Sequence, residues 1–231
     1  TIETIINSNF YIKKNDKNIF ITENKKNYLH DLAKQLKAEI VHHNNYIGGR
    51  YSVLSEVGAV PTLLMGINFY SLRYFNAAGA DFDLEIGELH EPESHLIPLA
   101  IKSGYEKDYI LKVFGNDYNT PDGTCVRDYI HVVDLAKAHV MAVNHILNNT
   151  KIKTAFNLGV GKGVSVQEVI DSFQKVNNLE ISYKLGPRRA GDVEKIYSDN
   201  TKINDELGWF PVMSFESALV TAWNWEKLKN L

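Results

Sequence analysis

"MGINFYSLRYFNAAGA", residues 65–80, decides the fold, because it places a strand between two stretches of chain that read differently. From Phe69 the residues are β-prone and apolar, and the run ends in small residues, Ala77 to Ala80. Upstream, "NIFITE" (18–23), "NKKNYLHDLAKQLKAE" (24–39) and "IVHH" (40–43) follow one another. Tyr28, Leu32 and Leu36 share a helical face with Asp31, Lys34 and Lys37 off it, and the flanks are short β-type runs, so this is a β-α-β unit with a parallel strand pair. A glycine-containing loop and an apolar helix carrying Pro61 complete the first 68 residues.

Downstream of residue 80 an acidic loop runs to His95, and Pro98 suits the first turn of a short helix ending near Gly104. "YILKVFG" (109–115) and "CVRDYIHV" (125–132) are strand-like and flank the turn-forming "NDYNTPDGT". Val133–Leu147 has an apolar face of Leu135, Ala138, Ala142 and Ile146. "AFNLG" is a short strand, and Ser165 with Glu168 forms a capping box for a helix to about Val176. "EISYKL" (180–185) is a strand, Asp199 caps a helix ended by Gly208, and Ser214 caps a last helix through Trp223. The alternation makes the chain α/β throughout, with no repeat and no linker marked near residue 68.

With 231 residues, 44% hydrophobic and 23% charged, the chain can bury a core of one or two domains. A net charge of −3 and scattered Lys and Arg offer no basic field, so no nucleic-acid partner is expected. Tyr51–Tyr70 is broken by Ser52, Ser55, Glu56 and Pro61, and no membrane span is expected. The single cysteine, Cys125, forms no internal disulfide, and no charged-then-apolar leader opens the sequence. Both features point to the reducing cytoplasm.

Three groups of residues could carry chemistry. "GVGKGVSVQEV" (159–169) has a glycine-rich turn before a helix, yet its spacing is neither GxGxxG nor GxxxxGK[ST], so a structural turn is favoured over a phosphate loop. Arg188, Arg189 and Asp192 in a glycine-flanked loop can grip a phosphate and a ribose hydroxyl, or can form a solvated basic turn. Arg127, inside a strand pattern, needs an anionic partner, for which Asp128 and Asp134 are the nearest choices. No metal is expected: His42 and His43 point to opposite strand faces, and His90 and His95 lack zinc-site spacing and companions. The acids from Asp81 to Glu93 read as a solvated loop rather than a calcium site.

"SLRYFNAAGA", "HLIPLAI", "FGNDYNTPDGTCVRDYIHVVDLAKAHV", "FNLGVGKGVSVQEVI", "PRRAGD" and "LGW" occur in order from about Phe69 to the end. Together they resemble the C-terminal half of the UDP-glucose 4-epimerase family of extended short-chain dehydrogenases. The resemblance implies the substrate-binding part of an NAD-dependent epimerase fold over residues 69–231, a UDP-hexose ligand, and a homodimer as a possibility. It makes Arg127 and Arg189 diphosphate-binding, Asp192 a neighbour of the uridine ribose, and Asn76 a contact of the UDP-sugar. Tyr74 becomes the aromatic beside the nicotinamide, and Leu96, Lys112 (through its backbone) and Phe114 fall at uridine-pocket positions. His95 stands where some members carry asparagine. Ile196 stands where side-chain size limits bulk at the sugar's C2, which leaves N-acetylhexosamine acceptance open.

That family's reaction oxidises the hexose at C4 with bound NAD and returns the hydride to the other face. It needs a glycine-rich first β-α turn and a Tyr-x-x-x-Lys base. None of the twelve tyrosines has lysine four residues on, and the fifteen glycines contain neither GxGxxG nor GxxGxxG. The expectation is a chain inactive by itself. Residues 1–68 resemble a fragment of glucose-6-phosphate isomerase through Ile47–Val53, "IGGRYSV", where the resemblance makes Arg50 the group that stabilises enediolate-like charge. The two resemblances meet at about Gly66–Tyr70, as in a fusion, natural or artefactual. The alternatives are a non-catalytic nucleotide-sugar binding module and an isomerase remnant.

Overall fold

The computed structural model describes residues 19–23, 31, 34, 39–43, 69–148 and 153–229. The chain divides into two compact units, Thr1–Phe69 and Tyr70–Leu231. In the first, strand β1 (Ile19–Glu23) pairs parallel with β2 (Glu39–His43), Ile19 opposite Glu39 and Glu23 opposite His43. Asp31 and Lys34 between them are helical and exposed, so the β-α-β reading holds where it is described. The isomerase-like signature, Arg50 included, lies outside the described residues.

The second unit is mixed α/β. Strand β3 (Phe69–Tyr74) is interrupted at Phe75, whose N–H donates to the Leu158 carbonyl at 3.2 Å, and the chain resumes as β4 (Asn76–Ala78). Strand β5 (Leu111–Phe114) follows helix α1 (Leu96–Tyr105), which holds Pro98 in its first turn. The stretch "CVRDYIHV" forms two strands rather than one, β6 (Val126–Arg127) and β7 (Tyr129–His131), because Asp128 between them turns inward. Helix α2 (Val132–Asn148) leads to β8 (Lys153–Leu158), β9 (Val164–Ser165) and helix α3 (Val166–Asn177). Strand β10 (Tyr183–Gly186), helix α4 (Thr201–Leu207) and helix α5 (Phe215–Lys229) complete the unit. Strand β3 pairs with β8, β4 runs parallel to β7, β5 parallel to β10, and β6 antiparallel to β9.

Strand β10 starts later than its sequence suggests, since the Ile181 N–H is taken by the Gln174 side chain of α3 at 3.0 Å and Ile181 sinks into the core. The capping box forms: the Ser165 hydroxyl accepts from the Glu168 N–H at 3.0 Å, and the Glu168 carboxylate accepts from the Ser165 N–H at 2.7 Å. Asp199 acts one residue before the N-cap of α4, accepting from the Thr201 N–H at 3.0 Å, while Asn200 caps without a side-chain bond. Ser214 accepts from the Ser217 N–H at 3.0 Å, and α5 continues six residues beyond Trp223.

Two apolar clusters hold the unit together. Ile97 and Ile101 of α1, Leu111 and Val113 of β5, Ile170 and Phe173 of α3 and Leu219 of α5 form one. Leu72, Ile130, Phe156 and Leu158 from the strands, Leu135 and Ala138 of α2, Ile203 of α4 and Trp209 form the other. His131 is buried at their margin, its Nδ1 accepting from the Val133 N–H, and burial holds its pKa below the ordinary histidine value. No described helix is long and apolar enough to cross a membrane.

Candidate functional site

Lys112, Phe114, Arg189 and Asp192 collect where the paired strands β5 and β10 end, and Arg127 of β6 reaches them through Asp192. Lys112 lies opposite Lys184 and Phe114 opposite Gly186, so the segment leaving β10 passes directly over Phe114. The Arg189 guanidinium stands 4.4 Å from the Phe114 ring centre and the Lys112 ammonium 4.9 Å from it. A flat aromatic flanked by two cations suits a planar base joined to an anionic chain. Neighbouring Arg188 does not share this ring: it stacks on Tyr118 at 4.2 Å and donates from Nε to Asp117 at 2.7 Å. That guanidinium holds the Asp117 carboxyl below the usual carboxylate range.

Arg127 finds neither of the partners its sequence neighbours offer. Its guanidinium donates to the carbonyls of Val193 at 2.7 Å and Val126 at 2.9 Å, and lies 3.7 Å from Asp192. Asp134 instead accepts from the backbone N–H groups of Val212 and Met213 at 2.9 and 2.8 Å. Asp128 is fully buried and accepts from the N–H of Val160 (2.8 Å), Gly161 (3.0 Å) and Ser198 (3.0 Å) and from the Ser198 hydroxyl (2.7 Å). The reason is strand alternation: Arg127 and Asp128 face opposite sides. The same contacts settle the glycine-rich turn, whose N–H groups already hold an internal anion and so form a structural turn.

Asp192 joins the two arginines, its N–H donating to the Arg189 carbonyl at 3.2 Å while its carboxylate faces Arg127. Ile196, 41% exposed, is fixed by its N–H to the Val126 carbonyl at 3.0 Å. Asn76 donates from its side chain to the Asp128 carbonyl at 3.1 Å, which ties β4 to the arginine strand. Tyr74, 50% exposed, donates its hydroxyl to Nε2 of His139 at 3.0 Å, since Nδ1 of that ring donates to the Leu135 carbonyl at 2.8 Å. Leu96 packs on the first apolar cluster at the start of α1. His95 faces its own acidic loop, 2.7 Å from Glu88 and 3.1 Å from Glu93, and not the arginines.

His139, Asp117 and Glu88 are partners that sequence reasoning missed, because no spacing links residues 65, 71 or 7 positions apart to their mates. Burial raises the pKa of each described tyrosine with a resolved shift, Tyr70, Tyr118 and Tyr129, the last to about 12. That direction is opposite to what a phenolic base at neutral pH requires. A separate cleft of about 430 Å³ is lined by Lys162 and Glu168 of the glycine-rich stretch together with Asp171, Met213 and Phe215 among others, and includes none of the residues named for UDP-hexose or NAD.

Residues 65–221 match the family model described as GDP-mannose 4,6 dehydratase. A UDP-glucose 4-epimerase of Rhizobium meliloti is 47% identical over 168 residues, 73% of this chain and 51% of the relative. A solved UDP-glucose 4-epimerase from Bifidobacterium longum, in complex with NAD+ and UDP, superposes with a TM-score of 0.69 at 37% identity over 75% of this chain and 52% of its own. The UDP-Glc/GlcNAc 4-epimerase of Campylobacter jejuni gives a TM-score of 0.64 at 31% identity over 98% of this chain and 68% of its own. The chain spans about half the length of the curated relatives it matches.

Proposed function

The chain belongs to the GDP-mannose 4,6 dehydratase family, with curated relatives named UDP-glucose 4-epimerase, and from that premise we propose that it supplies the UDP-hexose-binding half of an epimerase site. The observation that carries this reading is the convergence of Phe114, Arg189, Asp192 and Arg127 at adjoining strand ends. Phe114, Lys112 and Leu96 would receive the uracil, Arg127 and Arg189 the diphosphate, and Asp192 the ribose. Asn76, His95 and Ile196 would border the hexose.

NAD, when bound in such epimerases, takes and returns the hydride at the hexose C4. The described residues do not fit its pyrophosphate: the N–H groups of the 159–161 turn are committed to Asp128, leaving Tyr74 as the single cofactor-side group carried over. No Tyr-x-x-x-Lys base occurs in the sequence. By itself, therefore, the chain binds UDP-hexose weakly and turns nothing over, since the nucleotide-sugar of the family lies between two halves. For residues 1–68 the reading is a glucose-6-phosphate-isomerase-like fragment, resting on Ile47–Val53 with Arg50 at its centre.

Titration calorimetry with UDP tests the site. Binding is expected, and Arg189→Ala should weaken it by about 1–3 kcal/mol, the worth of a charge-assisted hydrogen bond. An unchanged affinity would remove Arg189 from the diphosphate site, and silence from the unaltered chain would remove the binding reading. UDP-galactose with added NAD should yield no UDP-glucose, and measurable turnover would refute the need for the missing base.

A further inference from the structure

The acidic loop before α1 holds a donor set that its sequence spacing conceals. Two histidines five residues apart, without cysteine or a third histidine nearby, give no zinc motif. The fold supplies carboxylates instead. The Nδ1 atom of His95 lies 2.7 Å from Oε1 of Glu88 and 3.1 Å from Oε1 of Glu93, and Nδ1 of His90 lies 3.7 Å from the same Glu93 oxygen. One donor atom from each of His90, Glu93 and His95 falls within 4.8 Å of the others. Bonds of about 2.0–2.1 Å to a tetrahedral ion put neighbouring donors roughly 3.3 Å apart, the middle of this range.

These donors are held from behind. The Trp225 indole of α5 donates to the Glu88 carbonyl at 2.9 Å. Gly87 lies flat on the same indole, where a Cβ would meet ring atoms at 2.3 Å. The Glu93 carboxylate accepts from the N–H groups of Ser94 (2.6 Å) and His95 (2.7 Å), and the His95 carbonyl begins α1 by accepting from the Leu99 N–H at 3.1 Å. Orientation of ligands by such outer bonds is a general property of built metal sites.

We propose that His90, Glu93 and His95, completed by Glu88, bind a borderline divalent cation of the zinc class. Two imidazoles and two carboxylates match zinc and cobalt better than magnesium or calcium, which take oxygen ligands. Neither arginine of the nucleotide-sugar reading contributes a ligand, although His95 borders that site.

The experiment titrates the whole chain with zinc chloride alone, without nucleotide, and repeats it with cobalt(II) to read the visible absorption of a four-coordinate ion. One saturable equivalent and an intense cobalt band are expected, with millimolar magnesium or calcium failing to compete. His95→Gln and Glu88→Gln should each weaken zinc by about tenfold or more, and the His90→Gln, His95→Gln pair should abolish the band. Circular dichroism checks that each variant is folded, and Arg189→Ala should retain full zinc affinity. An absent event, or equal affinity in the folded double-histidine variant, overturns the metal site without touching the UDP reading; loss of UDP binding alone leaves the metal site standing.

Discussion

Asp128→Ala should remove at least about 3 kcal/mol of unfolding free energy, read as a fall in the urea midpoint at unchanged slope. The carboxylate is inaccessible and is the shared acceptor for three backbone N–H groups and one hydroxyl. Alanine removes the acceptor of the buried Ser198 N–H and hydroxyl and of the part-buried Val160 N–H, at about 1–3 kcal/mol for each buried donor before any relaxation, while the Gly161 N–H keeps the Ser198 hydroxyl at 3.0 Å. The turn packs tightly on this carboxylate: in the unaltered chain a Cβ on Gly159 would lie 2.4 Å from the Asp128 carboxylate and 2.4 Å from the Ser198 hydroxyl. Asp128→Asn should lose less, because its one carbonyl oxygen still accepts part of the set. A loss under about 1 kcal/mol for the alanine variant would mean that water replaces the carboxylate and that the turn is self-supporting.

Trp209→Ala is expected to cost about 3–5 kcal/mol by the same measurement. The indole is 2% exposed, the largest side chain of the second apolar cluster, and fastens the segment after α4 to α2 by donating to the Asp134 carbonyl at 3.2 Å. Trp209→Phe keeps most of the apolar contact and loses the N–H, so its cost should be nearer about 1 kcal/mol. Equal losses for the two variants would show that the hydrogen bond, not the filled volume, carries the effect. Against a typical domain stability of about 5–15 kcal/mol, either the Asp128 or the Trp209 truncation removes a large share.

The elements of residues 69–229 were largely readable from local chemistry. The capping box of α3 and the apolar face of α2 depend on residues close in sequence, which is why periodicity finds them, as it finds the parallel β1–β2 pair of the first unit. Partnerships across the chain were not readable. Nothing in the order "VRDY" says that Arg127 meets Asp192 while Asp128 meets Ser198, because pairing follows strand register and loop return. The acidic loop is solvent-facing as its composition suggests, but its anchor was not readable for the same reason: Trp225 lies 137 residues from Glu88. Of the candidate site, Phe114 and Arg189 are named separately through family resemblance, and their stacking is visible only once β5 and β10 are in register.

The alternation at Arg127 and Asp128 makes the site sensitive to reading frame at the level of single residues rather than to chemistry alone. One residue inserted or deleted between Gly123 and Val126 would rotate the strand by half a period. The guanidinium would then point at the amide-lined hollow made for an anion, and the carboxylate would face the position assigned to a diphosphate. Such a chain would keep both Arg127 and Asp128, yet both charges would be inverted in place. Length variation in this segment should therefore be tolerated far less than substitution, and the preceding turn shows how little slack exists: Gly123 has a φ of +79°, with its Cα face against the Asn116 carbonyl.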